Sequence, residues 1–563
     1  MASVSNGSPP YPHSRFGFPE LCSLFRADPP AAVCRRLILL VVILGAVYTL
    51  SQYLPNRSYW RDEAYMLLNI MDKPAGGLLG KLDNAQAAPP VFLWSERGMY
   101  LAFGSLEWVM RLLPLVCGIG ALAMFAALAW RTLSPGAAVW AVVGFAFCDE
   151  LVWHAVSLKQ YSGDALMSAI LLTVALWPRV PVVSGSRCKG SVGGDGSPSR
   201  PCPPHGGGSG ETAPPLAITA GMSLWPAGRR LLWVAIVAAV GAWLSFTALI
   251  VFGGISLALL PGVWREGRRA RVAWMSGNVL VAVSGLVLYL LCIRHQHDPM
   301  LFRFWAEDMA DYSRPWTIPW FIIRESYRLC EVPYRAIGPI TMLLVLAGGW
   351  FLWKSGRRQT LGILVGPVVM TIVAACLRQY PYHGGRVTVF LLPGVLLMAG
   401  FGLEAIRQHA PMPWRQGWWL PGLLMLLLGA GEASYRVFVP MGRSQIRPVV
   451  QYVREHRRAG EAIYLVGEGS SPGRPLTDGE SVEFFCYWRH PEPPVHVTMH
   501  APGKIPERRF WVAFCFLPKH KGTRFLDPLL ERIRQTADEK DRIVVKEGGA
   551  AFLFEKRDVE LRK

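Results

Sequence analysis

The side chains best able to do chemistry are hydrophilic groups that punctuate an otherwise apolar sequence. Arg61, Asp62 and Glu63 follow the first long apolar run by a few positions. Asp83, Asn84, Gln86, Pro89 and Pro90 come later in the same polar stretch, Pro55 to Ser105. Lys159, Gln160, Tyr161 and Asp164 separate two further apolar runs, and Tyr380, Pro381, Tyr382, His383 and Arg386 separate two more. Carboxylates gathered with Lys, Arg and His can take a proton from a hydroxyl and stabilise a departing anion. Each also has an ordinary structural use. Asp62 and Glu63 suit the first turn of a helix, whose dipole favours acids. Lys159 and Arg386 suit a membrane surface, where long cations snorkel, and His383 suits a polar turn. Only if the intervening elements return these bends to one place do they amount to a site.

Those elements are read from the apolar runs. The chain has 563 residues, 52% hydrophobic and 17% charged, against roughly 25% charged in a soluble domain. This excludes a single soluble domain, a fibrous protein and a disordered one. Eleven runs approach the roughly 17 to 25 residues that span a bilayer. They are Arg36 to Leu54, Leu106 to Trp130, Pro135 to Trp153, Ser162 to Trp177, Leu231 to Ser245 and Ala248 to Trp264. The others are Ala273 to Ile293, Ile337 to Trp353, Leu361 to Leu377, Val387 to Gly402 and Trp418 to Gly431. The expected fold is therefore an all-α polytopic membrane protein of about eleven transmembrane helices, with a small α/β domain at its carboxyl end. No cleavable signal is apparent, so the first span is expected to act as an anchor.

The formal charge of +19 is explained by short basic connectors rather than by nucleic-acid binding. Arg265, Arg268, Arg269 and Arg271, and Lys354, Arg357 and Arg358, orient the helices with these connectors in the cytoplasm. An odd number of spans then sends the carboxyl tail outside, to the periplasm if the host is a bacterium. Of the eleven cysteines, Cys117, Cys148, Cys292 and Cys376 fall inside apolar runs and no CxxC pair occurs, which argues against a zinc site. Cys486 and Cys515 in the tail have the option of a disulfide on that outer side.

The organisation expected is a cytoplasmic segment at 1–34, a membrane domain at 35–433 and a soluble domain at 434–563. Within the membrane domain, 181–226 is rich in Gly, Pro and Ser and reads as a flexible cytoplasmic insertion. In the tail, Val449, Val450 and Val453 mark one helix face, and Gly460 a stop. Ala462 to Val466 and Phe510 to Leu517 read as strands. Ile543 to Val545 and Ala551 to Phe554, flanking Gly548 and Gly549, read as a hairpin.

In this topology Asp62, Lys159, Asp164, His383 and Arg386 all return to the outer face. Here the sequence resembles the GT-C class of polyprenyl-phosphate-sugar-dependent glycosyltransferases, in particular the protein-mannosyltransferase-like and aminoarabinose-transferase-like branch. The resemblance rests on Asp62-Glu63 after the first span, Ala88-Pro89-Pro90 later in that loop, Lys159 to Asp164 entering the fourth span, and Tyr380 to Arg386 before a late one. It implies a transferase with Asp62 as catalytic base and Glu63 in support. Gln86, Lys159, Tyr161, Asp164, His383 and Arg386 would bind substrate. The donor would be a polyprenyl-phosphate-linked sugar, and the acceptor a glycan, a lipid or a protein. No cofactor is certain, and a divalent metal is left open. Family members often carry His or Lys before the Pro-Pro pair, where this chain has Ala88; Lys159 or Arg386 would then meet the donor phosphate. The rivals are a membrane transporter or flippase, for which Arg111, Asp149 and Glu150 are the residues to watch, and a scaffold whose tail binds a partner.

Overall fold

The computed structural model describes residues 30–176, 227–412, 414–441, 445–466, 482–488, 495–497, 505–514, 526–545 and 548–557. The insertion expected at 181–226, and Cys515 of the candidate disulfide, lie outside the described residues. Among the described residues, seven helices are long and apolar enough to cross a membrane: Ala31–Tyr53, Leu112–Thr132, Thr247–Glu266, Arg268–Gln296, Arg335–Lys354, Arg358–Cys376 and Arg386–His409. The chain is an integral membrane protein. Of the remaining expected spans, Pro135 to Trp153 is a pair, Pro135–Ala146 and Asp149–Ala155, bent by 55°. Tyr161–Ala175 and Ala227–Gly241 are shorter, at 15 residues each. Leu420–Phe438 carries Glu432 and Arg436 in its last turns.

Burial separates inner from outer helices. In Arg386–His409 the apolar window is 94% buried, whereas in Ala31–Tyr53 it is 28% buried. Leu39, Leu40, Ile43 and Val47 on the latter stand exposed, as befits a lipid-facing surface, because hydrocarbon imposes no penalty on bare apolar side chains. Around the central helix, small residues allow close approach. A Cβ at Gly402 would lie 2.1 Å from the Leu344 carbonyl oxygen, and one at Gly348 would lie 2.0 Å from that of Met398. Helix Gly338–Lys354 thus packs backbone to backbone on Leu392–His409.

The second span starts later than expected. Leu106 to Trp130 is divided into Glu107–Met110 and Leu112–Thr132, with Arg111 at the break. The cause is electrostatic: Arg111 is 2% exposed and turns inward to a carboxylate, which a continuous lipid-facing helix would not let it reach.

The tail contains a five-stranded sheet in the order β2-β1-β3-β5-β4. Its strands are β1 Ala462–Val466, β2 Val495–Val497, β3 Arg509–Phe514, β4 Ala537–Val544 and β5 Ala550–Lys556. β1 pairs parallel to β2 and β3, and β5 runs antiparallel to β3 and β4. Alternation divides β3 between two cores. Phe510, Val512 and Phe514 meet Leu530, Ile533, Phe552 and Phe554, while Trp511 and Ala513 meet Val449, Val450 and Val453. The sheet, the Arg447–His456 helix and the β4–β5 hairpin fit the sequence reading; the Val482–Tyr487 and Asp527–Arg534 helices were not anticipated.

This carboxyl-terminal part is clasped to the first polar loop. Arg447 pairs with Glu107 at 2.8 Å and donates to the Asn56 carbonyl at 3.0 Å. The Tyr487 hydroxyl donates to Glu107 at 2.8 Å and accepts the Tyr59 N–H at 2.8 Å, its ring stacked on Tyr59. Cys486 Sγ lies 3.6 Å from the Ala64 carbonyl oxygen. The contacts reach the same helix that carries Asp62 and Glu63.

Candidate active site

Asp62 and Glu63 occupy the first turn of helix Arg61–Asp72. Neighbours on a helix point about 100° apart, and here the two carboxylates part completely. Glu63 is fully buried. Both its oxygens meet Arg111, each at 2.8 Å, and it accepts the Leu158 N–H at 2.8 Å and the Trp60 N–H at 3.3 Å. Arg57 stands 3.9 Å away. Burial alone would raise the Glu63 carboxyl, yet Arg111, Arg57 and the Leu158 N–H hold it below its usual value. Arg111 also donates to the carbonyls of Arg57, at 2.7 Å, and Ser58, at 3.2 Å. Glu63 is thus the pin joining the first and second polar loops, and it does not face the cavity.

Asp62 does face it. The carboxylate pairs with Arg386, 324 positions away, and both line a cavity of about 1160 Å³. The guanidinium lies 5.0 Å from the Trp305 ring centre and 5.5 Å from that of Phe304, so aromatic faces support it flat while one edge meets Asp62. His383 lines the same cavity, as do Arg61, Glu150, Arg328 and Glu331, and Glu483 reaches it from the carboxyl-terminal part.

Gln86 and Lys159 form a neighbouring polar contact. Lys159 Nζ donates to Gln86 Oε1 at 2.5 Å, and Gln160 Nε2 to the Ala87 carbonyl at 3.3 Å. Asn84 and Ala85 adopt left-handed φ of 60° and 51°, giving the sharp turn that aims Gln86. Asn69 anchors this turn by accepting the Asp83 N–H at 2.7 Å and donating to its carbonyl at 3.1 Å. Burial pushes the Lys159 ammonium down to about 8, against the pull of Asp62. Lys159 therefore sits beside the Asp62–Arg386 pair without lining the large cavity. Ala88, just before the Pro-Pro pair, is held through its backbone: its N–H donates to Gln296 at 3.0 Å and its carbonyl accepts from Gln296 at 3.2 Å.

Two further candidates are placed apart from the cavity wall. Tyr161 packs with Trp305, Met309, Val387 and Tyr380, edge-on to His154. Asp164 accepts the Ser245 hydroxyl at 2.5 Å, tying helix Tyr161–Ala175 to the turn between Ala227–Gly241 and Thr247–Glu266. Of the residues a transporter reading would watch, Arg111 is committed to Glu63. Asp149 and Glu150 lie on the cavity, where Asp149 accepts the Tyr48 hydroxyl at 2.7 Å and Glu150 meets His154 at 3.1 Å.

His383 brings in two acids that sequence reasoning missed. Its Nδ1 is 2.9 Å from Asp308 and 3.8 Å from Glu325, and one donor atom from each of the three lies within 4.8 Å of the others. One imidazole and two carboxylates fit a divalent cation that accepts nitrogen and oxygen ligands. Glu325 is fully buried and already engages Arg324 at 2.6 Å, Arg328 at 3.0 Å and the Gly384 N–H at 3.3 Å. Asp308 lay in a stretch with no apolar rhythm to place it. The Glu325 partnership had one signal, the Arg at i+3 on an amphipathic helix.

No protein-family model and no curated protein matches the sequence. Solved structures similar to the chain include ArnT from Cupriavidus metallidurans in the apo state, at 13% identity and TM-score 0.49, covering 93% of this chain and 98% of that one. ArnT bound to undecaprenyl phosphate is similar at 12% identity and TM-score 0.48, covering 92% and 97%. The oligosaccharyltransferase of Archaeoglobus fulgidus, tethered to an acceptor peptide, is similar at 11% identity and TM-score 0.43, covering 80% of this chain and 63% of that one.

Proposed function

We propose that the protein is an integral membrane glycosyltransferase that moves a sugar from a polyprenyl phosphate to an acceptor hydroxyl, with Asp62 as general base. The observation that carries this reading is the meeting of Asp62 and Arg386, from opposite ends of the membrane portion, on the wall of one 1160 Å³ cavity. The catalytic face is the non-cytoplasmic one, the periplasmic face of the inner membrane in a bacterium. The acceptor is a glycan, a lipid or a protein.

The chemistry asks little of the protein. A polyprenyl phosphate is a good leaving group, so no acid is needed to protonate it. The acceptor oxygen attacks the anomeric carbon, its proton passes to Asp62, and the bond to the phosphate oxygen breaks with its electron pair. Attack opposite the leaving group inverts the anomeric centre. Arg386 stabilises the departing phosphate, with the Lys159 ammonium adding its field. Asp308, Glu325 and His383 would hold a divalent cation, whose chemistry would be to neutralise phosphate charge. In the free protein Arg386 occupies one oxygen of Asp62. A phosphate that takes this guanidinium releases the carboxylate, so donor binding and the arming of the base are linked.

The test uses purified protein with a panel of lipid-linked sugars, reading release of polyprenyl phosphate. Asp62→Asn is expected to lower transfer by a factor on the order of 10² to 10⁴. Full activity in a normally folded Asp62→Asn protein would remove Asp62 from the role of base.

A further inference from the structure

A second, much smaller recess lies beside Lys159. Phe92, Leu113, Cys117, Lys159, Gln160 and Ser162 are among its lining, and its volume is about 10 Å³, close to the space one water occupies. The hydrogen bonds around it do not balance. Lys159 carries three N–H donors and, among the described residues, gives one to Gln86 Oε1. Gln160 spends its Nε2 on the Ala87 carbonyl, which leaves Oε1 buried with no partner among the described residues. Ser162, 3% exposed, has no partner for its Oγ among them either. Spare donors and two unpartnered oxygens thus belong to residues that line a space of one-water size. A buried ammonium tolerates such a shortfall poorly, because an unmet charged donor loses its hydration without return.

We infer that the recess binds one structural water, which accepts from Lys159 Nζ and donates to Gln160 Oε1 and Ser162 Oγ. Three partners match the usual coordination of a buried water. Gln160 and Ser162 then act as positioning residues. With Gln86 on one side and the water on the other, the ammonium is fixed beside Asp62 and Arg386 and stays charged despite its burial. The charged groups facing it are Asp62, Glu63 and Arg386. The functional consequence rests on the transferase reading above; the water site itself does not.

Two variants of the full-length chain separate the cases. Ser162→Ala removes one acceptor and keeps the space. Gln160→Leu removes the other and turns an apolar group toward the lining that Gln160 shares with Lys159 and Ser162. A high-resolution density map of the wild type is expected to show one solvent peak between Lys159, Gln160 and Ser162, which Gln160→Leu abolishes. In transfer assays both variants are expected to move the alkaline limb of the pH profile downward, by about one pH unit for the full loss. A map with no peak in the recess overturns the proposal, as does a peak joined to an alkaline limb that neither variant moves. If the wild type transfers no sugar at all, the function proposed above falls, and the map alone decides the water.

Discussion

Asp62→Asn is expected to do something a simple inactive mutant would not: bind the lipid phosphate more tightly than the wild type. In the free protein the Arg386 guanidinium is engaged by Asp62, and a phosphate must displace that carboxylate to make its own bond. The Asp62 and Arg386 side chains are 23% and 26% exposed, too wet for the several kcal/mol of a buried pair, so the contact is worth about 1 kcal/mol. Removing that competition tightens binding about five-fold. Equilibrium binding of polyprenyl phosphate to purified protein, followed by calorimetry, measures the change. Loss of a negative charge would itself favour an anion, so Glu150→Gln and Glu331→Gln serve as controls. Both line the same cavity, and each is expected to change the affinity less than two-fold. Arg386→Gln is expected to weaken binding, with or without Asp62. The reasoning fails if Asp62→Asn binds no tighter than the two controls.

The neighbouring acid is expected to respond in stability. Glu63→Gln leaves Arg111 buried without its counter-charge, which costs about 3 to 5 kcal/mol, and melting in detergent should drop well below that of Asp62→Asn. Glu96 offers a pH test. It is fully buried, and neither oxygen has a hydrogen-bond partner among the described residues. Burial holds its carboxyl well above its usual value. The folded protein therefore keeps a proton that the unfolded chain releases. Stability is complete below the unfolded value and falls as pH rises toward the folded one, by about 1.4 kcal/mol per unit. Unfolding midpoints compared at about pH 5 and about pH 8 should show this decline in the wild type and its loss in Glu96→Gln; equal slopes would mean the carboxyl is ionised in place.

Much of this fold could be read in the sequence because lipid enforces a simple pattern. Among the described residues, seven of the expected spans coincide with helices long and apolar enough to cross a membrane, and an eighth with a bent pair, since backbone in hydrocarbon must satisfy its hydrogen bonds internally. The breaks were harder to see. Phe147 and Cys148, between Pro135–Ala146 and Asp149–Ala155, are themselves apolar, and the mark of the 55° bend is the Asp149–Glu150 pair that opens the second helix. The Val482–Tyr487 helix has six residues, too short for a periodicity to register. It is held by what its side chains meet across the interface rather than by its own propensity.

The site was legible as a set of residue types but not as a division of labour. Asp62 and Glu63 look alike in sequence, and so do Lys159 and Arg386. What tells them apart is a partner about 50 or more positions distant: Arg111 for Glu63, Arg386 for Asp62, Gln86 for Lys159. Arg111 held the one usable clue. An arginine at the start of an apolar span has to find an acid or reach water, and the acids that precede it in sequence include Asp62, Glu63 and Glu107. Geometry gives Glu107 to Arg447 and Tyr487, and Glu63 to Arg111. Asp62 alone of the three is left on the cavity wall, held by a cation that a phosphate can take from it.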